Sequence, residues 1–222
     1  IVSGAIVGAK TGGESFRKPR RQKSRKGPPN FAGRDAFRRF PRSAQLRPSP
    51  AARVARRACN DSQGYDMNFD ALPDTLQSAL TERGYSEPTD VQAAVLKPEA
   101  DGRDLVVSAQ TGSGKTVAFG LAFARQLLDD GGKVPFAGAP LALVITPTRE
   151  LALQVSRELS WLYGKAGGRV ATCVGGMNPS AERKVLRSGA SIVVGTPGRL
   201  RDHLERGALD LSALKAVTLD EA

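Results

Sequence analysis

The run Ala109-Gln110-Thr111-Gly112-Ser113-Gly114-Lys115-Thr116 matches a phosphate-binding loop pattern, with Ala109 at the place of its first glycine. Small residues there let successive backbone N–H groups converge on phosphate oxygens. A helix starting at the lysine turns the positive end of its dipole to the same charge. Lys115 adds a full positive charge for the terminal phosphates of a nucleotide, and Thr116 offers a hydroxyl to Mg2+. A chance glycine-rich turn is the competing explanation, but a strand before and a helix after are the context the loop requires, and both are expected here. A second pair, Asp220 and Glu221, closes the apolar run 216–219. A carboxylate at the C-terminal end of a parallel strand faces the crevice where open α/β sheets bind ligands. Asp220 can hold Mg2+ through water there, and Glu221 can orient or deprotonate a water attacking a γ-phosphate. By itself the pair would read as an acidic turn after a strand; with the phosphate loop upstream it reads as that loop's partner. Other chemistry is scarce. A single histidine, His203, argues against most zinc and histidine-based catalysis, and Cys59 and Cys173 make neither a disulfide framework nor a metal site.

Positioning these groups requires strands that end at one edge and helices that start there. Spacing of Leu72, Leu76, Ala79 and Leu80 predicts a helix over 72–83, opened by Pro73 and closed by Gly84. A short helix follows Thr89. Residues 104–108 read as a buried strand leading into the phosphate loop, and the helix after it runs to about Leu128. The pattern then repeats: strands at 141–146, 169–174, 191–194 and 216–219, helices at 149–163, 179–187 and 199–206. Pro179 after Asn178 marks one of the helix starts. Short apolar runs alternating with amphipathic helices predict an α/β fold, a parallel sheet with helices on both faces. Trp161 and Tyr163 read as packing residues, Cys173 as a small hydrophobe in a strand, and His203 as a surface residue among Arg201, Asp202 and Glu205.

The charge of the 222-residue chain is uneven. It carries 33 Lys and Arg against 22 Asp and Glu, a net +11. Residues 1–66 alone hold 16 basic and 4 acidic groups, whereas 67–222 are nearly neutral. The first part has scattered prolines and no sustained hydrophobic period, so it is expected to be a basic segment of low order, with a globular domain over 67–222. Three readings fit the basic stretch. It is a nucleic-acid-binding arm working by counterion release, an arginine-rich targeting segment, or sequence upstream of a true start at Met67, since the chain begins at Ile. No apolar run is long enough to span a membrane, and the cysteine usage points to a reducing compartment, the cytoplasm.

These residues together resemble the DEAD-box RNA helicases. AQTGSGKT (109–116) is similar to motif I, PTRELALQ (147–154) to motif Ia, Gly175-Gly176 to the GG motif and TPGRL (196–200) to motif Ib. The closing DEA (220–222) looks like motif II cut one residue short. GYSEPTDVQ (84–92) resembles the Q motif, with Phe69 as its upstream aromatic. Asp90 departs from a proline often found there, and Phe69 stands slightly closer to Gln92 than in many members. The resemblance covers about 67–222. It implies a RecA-like P-loop NTPase domain with ATP and Mg2+ as cofactors. Ala109, Gln110, Thr111, Gly112, Ser113, Gly114, Lys115 and Thr116 would cradle the phosphates. Lys115, Asp220 and Glu221 would be catalytic, and Thr116 and Asp220 would hold the metal. Gln92 would read adenine, its amide offering a donor and an acceptor together, and Phe69 would stack near the base. Thr148, Arg149, Gly175, Gly176, Thr196, Pro197, Gly198 and Arg199 would contact the RNA backbone, without base readout.

In this family ATP sits between two RecA-like domains, and their closure bends one RNA strand. The second domain, its arginine fingers, the final aspartate of motif II and the following Ser-Ala-Thr motif are not in this sequence. The resemblance therefore implies one part of a longer helicase. It also implies a gap in the sheet, because the strand leading to the Ser-Ala-Thr motif inserts between those of motifs I and II. Two alternatives remain open at this level: a nucleotide-gated RNA clamp without unwinding, and a phosphate-loop ATPase outside the helicases.

Overall fold

The computed structural model describes residues 68–110, 112–136 and 138–221 and the backbone of residues 2–9. The expected low-order segment therefore falls mostly outside the described residues, as do Thr111 and Ala222.

Five strands bear out the spacing argument. β2 (Leu105–Gln110), β3 (Ala142–Ile145), β4 (Val170–Cys173), β5 (Ile192–Gly195) and β6 (Ala216–Asp220) follow β1 (Val2–Ala9) in the chain. The sheet order is β2-β1-β6-β3-β5-β4. β6, β3, β5 and β4 pair in parallel, with Ile145 opposite both Gly195 and Leu219. β3 and β5, at the middle of this parallel set, are almost wholly Val, Ile, Leu and Ala because both faces are covered, and β5 is buried at every position.

The centre of the sheet differs from the expectation. No gap separates β2 from β6, because β1 lies between them and pairs with both in antiparallel sense. Val2 stands opposite Gln110 and Ala5 opposite Asp220. Residues 2–9 are thus a strand, where the composition of 1–66 predicted low order, and the sheet is mixed instead of wholly parallel. The physical reason lies in the run VSGAIVGA, which carries none of the segment's charge and can satisfy two open rows of backbone N–H and C=O groups at once. Since β2 and β6 are each antiparallel to β1, they run in the same direction. Their C-terminal ends, Gln110 and Asp220, consequently reach the same edge of the sheet as those of β3, β4 and β5.

The helices are α1 (Asp74–Glu82), α2 (Asp90–Leu96), α3 (Lys115–Ala122), α4 (Ala124–Leu127), α5 (Arg149–Gly164), α6 (Pro179–Arg187) and α7 (Pro197–Glu205). The helix expected to run unbroken to about Leu128 divides at Phe123 into α3 and α4. α7 begins two residues before its predicted start, since Pro197 suits a first helical turn. One core joins α1 to α5 with the sheet through Leu76, Leu80, Phe119, Phe123, Leu159 and Tyr163. Tyr163 is buried among these groups, stacks on Phe123 and donates its hydroxyl to Gly120 O at 2.7 Å. Trp161 is only half-buried and stacks on Tyr85 under the guanidinium of Arg83. On the opposite face α6 and α7 pack on β3, β4 and β5 through Leu143, Cys173, Leu186, Val193 and Leu200. That cover stops short of β2, so the strand expected to be buried is not: its residues alternate between half-buried and exposed, and Val106 is 76% exposed.

Candidate functional site

Each loop named from the sequence leaves the sheet at this common edge. The phosphate loop follows β2, residues 147–149 follow β3, Gly175-Gly176 follow β4, residues 196–199 follow β5, and Asp220-Glu221 close β6. Open α/β sheets bind ligands there, because strand ends and helix starts expose main-chain groups to one crevice.

The phosphate loop turns on two glycines. Gly112 and Gly114 have φ of +83° and +81°, the left-handed region that L side chains avoid. A Cβ on Gly114 would also stand 2.5 Å from Gln92 Nε2. Lys115 opens α3 and folds back, donating from Nζ to Ala109 O at 2.8 Å and to Gln110 O at 3.3 Å. Thr116 follows on the first turn. Ser113 Oγ is buried with no partner among the described residues. A loop of left-handed glycines at a helix start, with a buried hydroxyl unused, fits a bound polyphosphate.

Asp220 is buried at the tip of β6, and its carboxyl is pushed up to about 6. Burial is the main cause, the negative charge of Glu221 adds to it, and Lys115 opposes both, together with a backbone hydrogen bond from Glu221. The lysine is therefore near enough to act on the aspartate. A buried carboxylate facing one cation and a phosphate loop is a donor set that suits a hard, oxygen-ligated ion such as Mg2+. Glu221 stands just beyond, at φ +57°.

Gln92 is fully buried, not a solvent-facing helix residue. Its Oε1 accepts from Thr89 N at 3.1 Å, in a capping-box arrangement that starts α2, and its Nε2 donates to Gly114 O at 3.4 Å. Thr89 Oγ1 donates to Ser113 O at 3.0 Å. Two side chains of one short helix start thus hold the phosphate loop. Phe69 lies in a 3-10 turn and is buried in the main core, so little of its ring is open to a base. A cavity of about 250 Å3, lined in part by Leu72, Val95, Leu121 and Leu128, contains none of the phosphate-loop residues.

Of the eight residues assigned to RNA, seven stand with accessible main chain or side chain at the ends of β3, β4 and β5. Thr148 caps α5, its hydroxyl accepting from Leu151 N at 3.3 Å. Arg149 Nη1 donates to Gly175 O at 3.4 Å, and Gly176, at φ +77°, lies against the same guanidinium. Thr196, Pro197 and Gly198 form the start of α7. Arg199 is different. Its side chain is only 14% exposed, and it bonds Glu182 Oε2 at 3.0 Å, Val174 O at 3.2 Å and Met177 O at 2.6 Å. It braces the GG loop from within.

Sequence reasoning missed Glu182 and misplaced His203. His203 is fully buried, with Nε2 at 2.6 Å from Glu182 Oε2. The signal was present: on α7, His203 follows Arg199 by four positions and Leu200 by three, so it shares their inward face. Cys173, Glu182 and His203 offer donor atoms all within 4.8 Å. Yet burial and the charge of Glu182 push the Cys173 thiol up to about 12, against the opposing pull of Arg199, and Glu182 is already engaged by Arg199. A thiol that keeps its proton so firmly, beside a carboxylate already paired, does not suit a metal ion.

Fold and site define a RecA-like domain of the P-loop NTPase class. Within it, the chain belongs to the DEAD/DEAH box helicase family, whose description matches residues 89–222. It is 46% identical over 148 residues to ATP-dependent RNA helicase DeaD of Klebsiella pneumoniae, which covers 66% of this chain and 22% of that protein. DEAD-box ATP-dependent RNA helicase 3B, chloroplastic, of Zea mays is 42% identical over 154 residues, 68% of this chain and 20% of that protein. Among solved structures, a DEAD box protein from the hyperthermophile Methanococcus jannaschii aligns with a TM-score of 0.56 and 34% identity, over 67% of this chain and 40% of that one. The chain thus spans about a fifth of the length of these curated relatives. Among the described residues no helix is long and apolar enough to cross a membrane.

Proposed function

We propose that this chain is the ATP-binding part of a DEAD-box ATP-dependent RNA helicase, in which binding and hydrolysis of ATP drive local unwinding of an RNA duplex. The observation that carries this reading is that the phosphate loop after β2 and the carboxylate of Asp220 at the end of β6 stand at one edge of the sheet. Glycines and helix starts line the same edge beyond it.

The residues divide the work as follows. N–H groups of residues 110–116 bind the phosphates, and Lys115 exchanges the carbonyls of Ala109 and Gln110 for the γ-phosphate. Thr116 and Asp220 would hold Mg2+, which when bound would neutralise phosphate charge. Glu221 orients the attacking water and takes its proton. Gln92, buried under the phosphate loop, reads adenine with the lone pair and N–H left over from its present bonds once that cover opens around the nucleotide, while Phe69 supports the base side from the core. Thr148, Arg149, Gly175, Gly176, Thr196, Pro197 and Gly198 take the RNA backbone without base readout, and Arg199 sets their geometry. A second RecA-like domain completes the ATP site and the RNA clamp. The cytoplasm suits a protein whose Cys173 is a free thiol.

Titration calorimetry of the chain with Mg-ATP, and strand displacement by the full-length protein, test this reading. Binding of ATP in preference to GTP, and displacement that stops in Gln92→Ala through lost ATP affinity, are expected. Failure to retain ATP with magnesium present overturns it.

A further inference from the structure

A buried polar cluster of Glu182, Arg199 and His203 lies behind the proposed RNA face. Glu182, on α6, is 5% exposed. Its Oε1 accepts from Val174 N at 3.1 Å, and its Oε2 faces Arg199 Nε at 3.0 Å and His203 Nε2 at 2.6 Å. A carboxylate only accepts, so the imidazole carries its proton on Nε2. Nδ1 of His203 has no partner among the described residues. The three donors come from three places: the residue just before the GG loop, the first turn of α7, and the second turn of α7. Arg199 then returns to the GG loop from the other side, through Val174 O and Met177 O.

We infer that Glu182 is a positioning residue for RNA binding, a buried anion that fixes the GG loop and the start of α7 against each other while touching no RNA itself. The inference rests on the RNA reading of this face. It follows from what the loop lacks. Among the described residues, Gly175 and Gly176 bring no side chain, and a Cβ on Gly175 would meet nothing within 4 Å. Such a loop has many conformations, and phosphate contacts require one. Glu182 supplies the restraint from behind, through Val174 N, and recruits Arg199 for the remainder. Buried charges of this kind are costly to leave single, so the hub acts as a unit: removing the carboxylate frees Arg199 to swing towards solvent and releases both carbonyls it holds. His203 is its third member, closing the hub against the apolar side.

Hydrogen exchange with mass spectrometry on the whole chain tests this. It is read at residues 174–178 alone, with decauridylate, and with Mg-ATP. In Glu182→Ala, uptake at 174–178 is expected to rise at least ~10-fold without any ligand. Protection of 174–178 and 196–199 by decauridylate is expected to be lost, with protection of 109–116 by Mg-ATP unchanged. Glu182→Gln, which keeps an acceptor for Val174 N but sets an uncharged amide against Arg199, should restore only the part of the protection that runs through Val174 N. Unchanged uptake at 174–178, or equal loss of the RNA and ATP footprints, overturns the inference. If Glu182→Ala does not fold, His203→Ala, which leaves the Glu182–Arg199 pair standing, carries the same test with a rise of roughly 3-fold expected. Absence of an RNA footprint in the unaltered chain would defeat the RNA reading, and the ligand-free uptake would still decide whether the hub holds the loop.

Discussion

Lys115 and Asp220 carry the proposed chemistry, and each gives a direct test. Lys115 donates to two main-chain carbonyls, those of Ala109 and Gln110. Replacing it by alanine removes charge-assisted contacts worth about 1.5–3 kcal/mol, so Lys115→Ala is expected to weaken Mg-ATP binding ~10- to 100-fold in calorimetry. It should abolish hydrolysis in the full-length protein. Asp220 has a folded-state pKa of about 6 against an ordinary 3.8. Between those values the folded chain binds more protons than the unfolded one, so stability falls as pH rises from about 4 to about 6 and levels off above. Asp220→Asn abolishes that slope. Urea unfolding is expected to show the variant more stable than the parent at pH 7, with the difference vanishing near pH 4. Cys173 offers a third test at this scale. With its thiol pushed up to about 12 and no surface exposed, it should resist alkylation at pH 8 until the protein is denatured, as counted by mass spectrometry.

Helix starts carry much of the site, and one of them, Asn178 before Pro179, was legible in the sequence. Asn178 with Pro179, Thr148 before Arg149, and Thr89 with Gln92 are caps whose side chains bond as their types dictate. Thr148→Ala should cost about 1 kcal/mol and lower the melting temperature by roughly 2–4 °C, because Leu151 N loses its acceptor at the head of α5. Calorimetric melting checks this. The interruption between α3 and α4 was not legible: Val117 to Ala124 is apolar without a break, so no period marks the division at Phe123. His203 was misread for a related reason. Its neighbours in sequence are charged and exposed, but its face of α7 is set by Leu200, and the buried Glu182 that receives it lies 21 positions away.

At the scale of the whole molecule, β1 is the feature that most affects behaviour. It pairs the inner edges of β2 and β6. A chain starting at Met67 would leave those two rows of N–H and C=O groups open, and unpaired strands template association. Such a chain is expected to elute as concentration-dependent oligomers in size-exclusion chromatography, whereas the full 222 residues do not. The sequence by itself determined the strand–helix alternation, the phosphate loop and the acidic strand end, because those are local patterns: backbone dihedrals, helix caps and apolar period act within a few residues. Tertiary structure alone decided that an N-terminal strand fills the sheet antiparallel, that Gln92 is buried against the phosphate loop, and that Arg199 faces Glu182 instead of solvent. Each of those depends on a partner far along the chain, and neither the type of a residue nor its near neighbours encodes which distant group will satisfy its hydrogen bonds once water is excluded.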